Sequence, residues 1–171
     1  NVNEAPSVTS GGATSFAENG TGTVYTVSGT DPDAGTTLTY SISGTDAALF
    51  NIDSSTGAIT FKTAPNFESP QDAGGNNVYD VTVTASDGAL SANKAVAITV
   101  TNVNEAPSVT SGSSTSFAEN GTGTVYTVTG SDQDAGTTLT YSISGTDAAL
   151  FNIDSTTGAI SFKTSPDFEN P

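Results

Sequence analysis

The chain contains no cysteine, histidine, methionine, tryptophan or arginine, and only three lysines. Without cysteine, neither disulfides nor thiolate metal sites can hold the fold together. The lack of histidine removes the commonest general base and the commonest transition-metal ligand. Oxygen atoms are the ligands that remain, and oxygen suits hard cations such as Ca²⁺ and Mg²⁺.

Positive charge is scarce, because eighteen acidic residues face three lysines and the formal net charge is −15. So acidic a chain cannot neutralise phosphates, which excludes nucleic acid and anionic membranes as partners. Long hydrophobic runs are also missing, and no segment approaches the roughly 18 apolar residues of a membrane span. We therefore expect metal cations as counter-ions and no membrane insertion.

The chain is a tandem repeat with a period of 101 residues. Residues 1–70 align without gaps to residues 102–171, and the two copies differ at ten positions. Repetition of this kind is typical of arrays in which one structural unit is used several times. We predict two domains, residues 1–101 and residues 102–171.

Strand patterns run through each copy. Period-two alternation occurs in segments 23–29, 38–44, 78–86 and 95–103, and shorter strands flank the turn 54–57. In segment 78–86, Tyr79, Val81, Val83 and Ala85 point one way, which indicates a half-buried antiparallel strand. Segment 46–50 has about one helical turn. Some seven short strands per hundred residues favour an all-β Greek-key sandwich.

The second copy matches only part of the first, since nothing in it corresponds to residues 71–101. Those residues supply two of the best strands of the first copy. A second sandwich without them would expose a sheet edge and half a core. We expect the chain to continue past residue 171. The alternative is that a neighbouring molecule supplies the strands and forms a filament by strand donation.

Short acidic motifs recur where strands end. They are FAEN (16–19, 117–120), DPDAG or DQDAG (31–35, 132–136), NFE or DFE (66–68, 167–169), NVNEAP (1–6, 102–107) and, once, ASDG (85–88). The segment that begins at Asp31 does not match an EF-hand loop, because Gly35 and Ile42 stand where an acid and a bidentate glutamate are needed. Each motif alone is also compatible with a solvated turn.

Together these motifs resemble those of cadherin repeats over the whole chain. The amino-acid sequence of the repeats is similar to that of the cadherin-like repeats of large bacterial surface proteins and adhesins. The matching residues are Glu18–Asn19, 66–68, 85–87, 102–107 and 132–134. The resemblance implies tandem cadherin-like (Ig-like), seven-stranded Greek-key β-sandwiches, the second incomplete, with Ca²⁺ bound between consecutive repeats.

The resemblance also implies three sets of metal ligands. The central set is Glu18, Glu68, Asn102, Asn104, Glu105, Asp132 and Asp134. The N-terminal set is Asn3, Glu4, Asp31, Asp33 and Asp87. The C-terminal set is Glu119, Asp167 and Glu169. A further ligand of the central set would lie near position 188, outside this sequence.

Several positions depart from the cadherin pattern. Asn102 and Glu105 stand where the linker motif has aspartates, and Ala106 replaces its last asparagine. Asn66 replaces an acid that the second copy keeps as Asp167. Fewer charged ligands usually give weaker sites. We therefore expect fewer ions or lower affinity than in vertebrate cadherins.

The repeated linker predicts a metal-dependent joint. Pro107 restricts the backbone beyond the ligands of the linker. Clustered carboxylates repel one another when no cation is present, so the joint should stiffen when metal binds. The hypothesis is an extracellular, calcium-stiffened spacer or adhesion repeat of a large bacterial surface protein, whose partners are its neighbouring repeats. A Pro-capped linker without metal is the alternative interpretation.

Two other classes of function are alternatives to this hypothesis. A carbohydrate-binding or self-assembling, fibre-forming module would have cell-surface glycans or other copies as partners. Sugar sites usually expose aromatic side chains, whereas the tyrosines at 25, 40, 79, 126 and 141 lie in strand patterns and are predicted to be core. Catalysis is not expected, because Asp31 and Asp33 share one turn without a pocket pattern.

Overall fold

In the computed structural model of the chain, residues 2–169 are described and two compact units are distinguished, Asn1–Val103 and Asn104–Pro171. The described residues form strands and two short 3-10 turns, Ala47–Leu49 and Ala148–Leu150. The predicted all-β class is therefore confirmed. Neither of those turns has the length or the apolar character that a membrane-crossing helix would need.

The first unit is built from nine strands in the order of the chain. They are β1 (Ser7–Val8), β2 (Ala13–Ala17), β3 (Thr23–Thr26), β4 (Gly29–Thr30), β5 (Thr39–Ser43), β6 (Phe50–Ile52), β7 (Ala58–Phe61), β8 (Val78–Ser86) and β9 (Ser91–Thr101). One sheet has the order β2-β9-β8-β5, and a second has the order β3-β7-β6. Strands β1 and β4 form a separate antiparallel pair. Within the larger sheet, β2 runs parallel to β9 and the other neighbours are antiparallel.

The core of the first unit lies between its two sheets. Strand β8 alternates as predicted, and Tyr79, Val81, Val83 and Ala85 are at most 3 % exposed. The Tyr79 ring meets that of Phe61 edge-on, with ring centroids 5.1 Å apart. Ile59 of the smaller sheet, Ile98 and Val100 of the larger sheet and Val27, which follows β3, belong to the same hydrophobic cluster.

The tyrosines belong to the interior rather than to an exposed aromatic surface. Tyr25 and Tyr79 are buried, and Tyr40, Tyr126 and Tyr141 are half-buried. The prediction that they are core residues is confirmed for the buried pair. The other three are partly covered by their own units.

Some strand bounds differ from the predicted ones. Segment 23–29 is divided into β3 and β4, and β9 begins earlier than predicted because its pairing with β8 continues down to Ser91 opposite Ser86. The helical turn predicted for residues 46–50 corresponds to a 3-10 turn at Ala47–Leu49. Strand β2 was not predicted, because its one large apolar side chain, Phe16, gives no clear alternation and its partner lies far along the chain.

The predicted turn between β6 and β7 is present and depends on Gly57. Its φ angle is +72°, and a Cβ atom there would lie 2.3 Å from the Val27 carbonyl oxygen. A left-handed conformation strains residues other than glycine. Asp53 closes the same turn, since its Oδ1 accepts hydrogen bonds from the backbone of Ser55 and Thr56 and from the Ser55 hydroxyl.

Those hydrogen bonds predict a measurable titration. The Ser55 hydroxyl, followed by the backbone N–H groups of Thr56 and Ser55, lowers the pKa of Asp53 from 3.8 to about 2. Because the folded pKa is depressed, the turn stabilises the fold above about pH 4 and loses this contribution as the pH falls through about 2. Carboxyl ¹³C NMR should show Asp53 titrating at about pH 2.

The second copy supplies a matched control for that titration. The pKa of Asp154 is lowered mainly by the backbone N–H groups of Thr157 and Thr156. At Asp53, by contrast, the largest cause is the Ser55 hydroxyl. We expect Asp154 to titrate above Asp53, and Ser55→Ala to raise the midpoint of Asp53 alone. Equal midpoints in the parent chain would contradict this explanation.

The second unit keeps only part of the arrangement. Its strands are β10 (Ser108–Val109), β11 (Thr124–Thr127), β12 (Gly130–Ser131), β13 (Phe151–Ile153) and β14 (Ala159–Phe162). They form the sheet β11-β14-β13 and the pair β10-β12. Residues 114–118 and 140–144, which match β2 and β5, are not strands. In the first unit β2 pairs with β9 and β5 pairs with β8. The matching segments of the second unit have nearly the same sequence but are not strands, so their sequence alone does not determine strand formation.

Candidate metal centre

The N-terminal set of acidic and amide residues gathers at one end of the first unit. The Asn3 side-chain amide donates to Asp87 Oδ2 at 2.8 Å, and the backbone N–H of Glu4 donates to Asp33 Oδ2 at 2.8 Å. The backbone N–H of Asp33 donates in turn to Asp31 Oδ1 at 2.8 Å. The turns after β4 and β8 therefore place all five predicted residues beside the segment that precedes β1.

This set has the character of a site for a hard cation. Asp31 Oδ2 is buried and accepts no hydrogen bond from any residue in the range 2–169. Backbone N–H groups of Leu90 and Ala89, and then the Asn3 amide, lower the pKa of Asp87, so this carboxylate is ionised at neutral pH. A buried carboxylate oxygen without a donor is costly unless a cation approaches it. Calcium accepts ligands of this oxygen type.

Glu18 is the most buried predicted ligand, at 2 % exposed. Its Oε2 accepts the backbone N–H of Phe67 at 2.7 Å, and its Oε1 accepts that of Val103 at 2.9 Å. One carboxylate oxygen of Glu68 lies within 4.8 Å of one of Glu18. Two carboxylates so close together repel, and a bound cation would offset that repulsion. Asn102, also in the first unit, is exposed after the end of β9.

The second unit repeats the contacts of the first with its own residues. The backbone N–H of Glu105 donates to Asp134 Oδ2 at 2.8 Å, and that of Asp134 donates to Asp132 Oδ1 at 2.9 Å. The Asn104 amide donates to the Glu105 carbonyl at 3.0 Å. The predicted central set is thus divided between the two units, and its assembly into one site stays a prediction.

The C-terminal set lies together within the second unit. Glu119, Asp167 and Glu169 each place one carboxylate oxygen within 4.8 Å of the others, and all three are exposed. The backbone N–H of Phe168 donates to Glu119 Oε2 at 3.2 Å, and that of Glu169 donates to Asp167 Oδ1 at 3.0 Å. The three predicted residues therefore lie together, and their binding of metal stays a prediction.

Two buried carboxylates were missed by sequence reasoning. Asp46 is 4 % exposed and accepts the backbone N–H groups of Ala73 at 2.8 Å and of Asp80 at 2.7 Å. Asp72 is 6 % exposed and accepts those of Asn76 and Asn77 at 3.0 Å. Their partners are backbone groups, which leave no residue-type pattern in the sequence. Both carboxylates bind backbone groups within residues 73–80.

Comparison with known proteins gives a relationship at the level of structure. No family model matches the chain, and no curated protein matches its sequence. Human protocadherin-24 EC1-2 is similar with a TM-score of 0.68 and 24% identity, covering 99% of this chain and 82% of that one. A second crystal form of that protein gives 0.67 and 26%, covering 96% and 81%.

Cadherins of other organisms show the same likeness. Mouse cadherin-23 EC22-24 has a TM-score of 0.65 at 24% identity and covers 98% of this chain and 56% of that one. Drosophila N-cadherin EC1-4 has a TM-score of 0.65 at 22% identity, with 98% and 42% covered. The fold of this chain is therefore the cadherin-repeat fold that the motifs predicted.

Proposed function

We propose that this chain is a calcium-stiffened extracellular spacer or adhesion repeat of a large bacterial surface protein, with Ca²⁺ held at the junctions between repeats. The cadherin-repeat fold supports this role. The observation that carries it is the repeated contact pattern: Glu4, Asp33 and Asp31 in the first unit have the same hydrogen bonds as Glu105, Asp134 and Asp132 in the second.

The residues of each set fit calcium by their chemistry. Carboxylate and amide oxygens are hard ligands of the kind that calcium uses. Asp31 is the clearest candidate for a calcium ligand in the N-terminal set, because its Oδ2 is buried and accepts no hydrogen bond from the described residues. Glu119, Asp167 and Glu169 would be the charged ligands of the C-terminal set. Calcium supplies positive charge, which offsets repulsion between the carboxylates and orders the segments that bear them.

A structural role agrees better with these sets than catalysis does. Asp31 and Asp33 are joined through the backbone of the same turn, and Glu4 and Asn3 come from the segment before β1. Every set lies where a strand ends and a connecting segment begins. Ligands placed there can limit the bending of the chain. We therefore assign the carboxylates to metal binding and mechanical stiffness.

A calcium titration tests this proposal on the full chain. If calcium binds the folded chain and not the unfolded one, a concentration 100 times Kd adds about 2.7 kcal/mol of stability. The melting temperature should then rise with calcium, and small-angle scattering should report a stiffer particle. Asp134→Asn removes one charge from the proposed ligands and should weaken both responses.

Asp154→Asn is the matched control, because it makes the same change in the turn between β13 and β14, away from the proposed ligands. It should keep the calcium response of the parent chain. A melting temperature and scattering profile that do not change with calcium would disprove the metal role. The acidic motifs would then be solvated turns.

A further inference from the structure

Glu18 directly follows β2 and is the most buried carboxylate among the described residues, at 2 % exposed. Its backbone N–H donates to the Thr101 carbonyl at 3.0 Å, and its Oε1 accepts the backbone N–H of Val103 at 2.9 Å. One residue therefore holds the chain on both sides of Asn102. This is the point where β9 ends and the linker 102–107 begins.

The other carboxylate oxygen of Glu18 holds a second segment of the first unit. Oε2 accepts the backbone N–H of Phe67 at 2.7 Å, and the backbone N–H of the next residue, Asn19, donates to the Pro65 carbonyl at 2.8 Å. The side chain of Phe67 packs against the hydrophobic cluster of the unit. Glu18 is therefore anchored to a segment that is itself fixed by packing.

Asn77 connects the two segments that Glu18 holds. Its Nδ2 donates to the Phe67 carbonyl at 2.8 Å, and its backbone carbonyl accepts the N–H of Val100 at 2.8 Å. Asn77 is 8 % exposed. The hydrogen bonds form a closed path that runs from Glu18 through Phe67 and Asn77 to β9 and back to Glu18. Buried polar networks of this kind favour a single arrangement of the groups that they join.

The contact between Glu18 and Val103 is strong for its position in the chain. A buried carboxylate is costly unless donors satisfy it, and backbone N–H groups satisfy both oxygens of Glu18. Hydrogen bonds to a charged acceptor are shorter and about twice as strong as neutral ones. Val103 is 44 % exposed, so packing contributes little to its placement. The order of Val103 therefore depends on the carboxylate of Glu18.

We propose that Glu18 is a positioning residue that fixes the start of the linker before any cation binds. The closed path of hydrogen bonds consists of protein groups, so it holds Val103 in the calcium-free chain. A consequence for calcium rests on the proposed function. Asn102, one of the predicted ligands, lies between two residues that Glu18 already holds, so less conformational entropy is lost when metal binds there.

Amide NMR of the full chain in EDTA tests this role. The amide protons of Phe67 and Val103 should lie downfield, as short hydrogen bonds to a carboxylate require, and should exchange slowly with solvent. Glu18→Gln offers one acceptor oxygen where two are needed, so at least one of the two signals should move upfield. Loss of a hydrogen bond to a charged group should speed exchange at the affected amide at least about tenfold.

Two further measurements do not depend on the folding of that variant. A scalar coupling across the hydrogen bond, between the Val103 amide nitrogen and the Glu18 carboxylate carbon, should be observed in the parent chain in EDTA. The ¹⁵N order parameter of the Asn102 amide should equal those of β9 under the same conditions. Rapid exchange at Val103 together with a low order parameter at Asn102 would overturn the proposal.

Glu119→Gln is the matched control, because Glu119 is exposed and accepts the N–H of Phe168 at 3.2 Å. It should leave the signals and exchange of Phe67 and Val103 unchanged. If Glu18→Gln altered these amides only in the presence of calcium, Glu18 would be a metal ligand and not a positioning residue. If calcium had no effect on the chain while Val103 stayed protected in EDTA, the metal role would fail and the positioning role would stand.

Discussion

Asp46→Ala should destabilise the first unit by about 2–4 kcal/mol, because two backbone donors lose their hydrogen bonds to a buried, charged acceptor together. Asp46 is 4 % exposed and joins Ala73 and Asp80, so its removal also loosens the segment that leads into β8. Urea unfolding followed by circular dichroism gives the free energy change. Hydrogen exchange should show the largest increase at the amides of Ala73 and Asp80.

The chain contains its own control for this variant. Asp147 has the same local backbone but is exposed, and the described part of its unit includes no counterpart of Ala73 or Asp80. Asp147→Ala should change stability by less than about 0.5 kcal/mol. Equal effects of the two substitutions would show that the aspartate stabilises the 3-10 turn itself and that the hydrogen bonds of Asp46 to Ala73 and Asp80 contribute little.

Tyr79→Ala should cost the first unit about 3–5 kcal/mol, as is usual when a large buried aromatic side chain is removed. Tyr79 is 2 % exposed and packs edge-on against both Phe50 and Phe61, with ring centroids 6.0 Å and 5.1 Å away. The loss leaves a cavity between the two sheets. Thermal and urea unfolding measure it directly.

Tyr79→Phe separates packing from hydrogen bonding. The variant keeps the ring and loses only the hydroxyl that accepts the backbone N–H of Gln71 at 3.2 Å. We expect a cost of about 1 kcal/mol. If this variant lost as much stability as Tyr79→Ala, the hydroxyl and not the ring would be the main contribution of Tyr79.

The sequence allowed accurate prediction where local pattern and burial agree. Strand β8 was predicted with its observed bounds, because its alternating side chains face a core on one side only. The turn at Gly57 was predicted because a positive φ favours glycine. Strand β2 was missed because its structure depends on parallel pairing with β9, which local pattern does not show.

The candidate site was predictable to a similar extent. The grouping of Asn3 and Asp87 came from the resemblance to cadherin motifs, and the hydrogen bond between them agrees with it. Asp46 escaped prediction because its partners are backbone N–H groups that no residue type identifies. Glu18 was expected as a ligand, but its burial and its two backbone donors follow from tertiary structure alone.

The parallel pairing of β2 with β9 determines when a repeat can fold. Ala13 pairs with Ala97 and Ala17 with Thr101, so the larger sheet closes only after the last strand of the repeat has been synthesised. Contacts between residues so distant in sequence slow folding and prolong the exposure of apolar surface. Hairpin β8–β9 is flanked in the sequence by two nearly identical segments, 1–70 and 102–171. In an emerging chain this hairpin can therefore pair with the strands of either segment, and pairing errors between neighbouring repeats are the misfolding hazard built into this sequence.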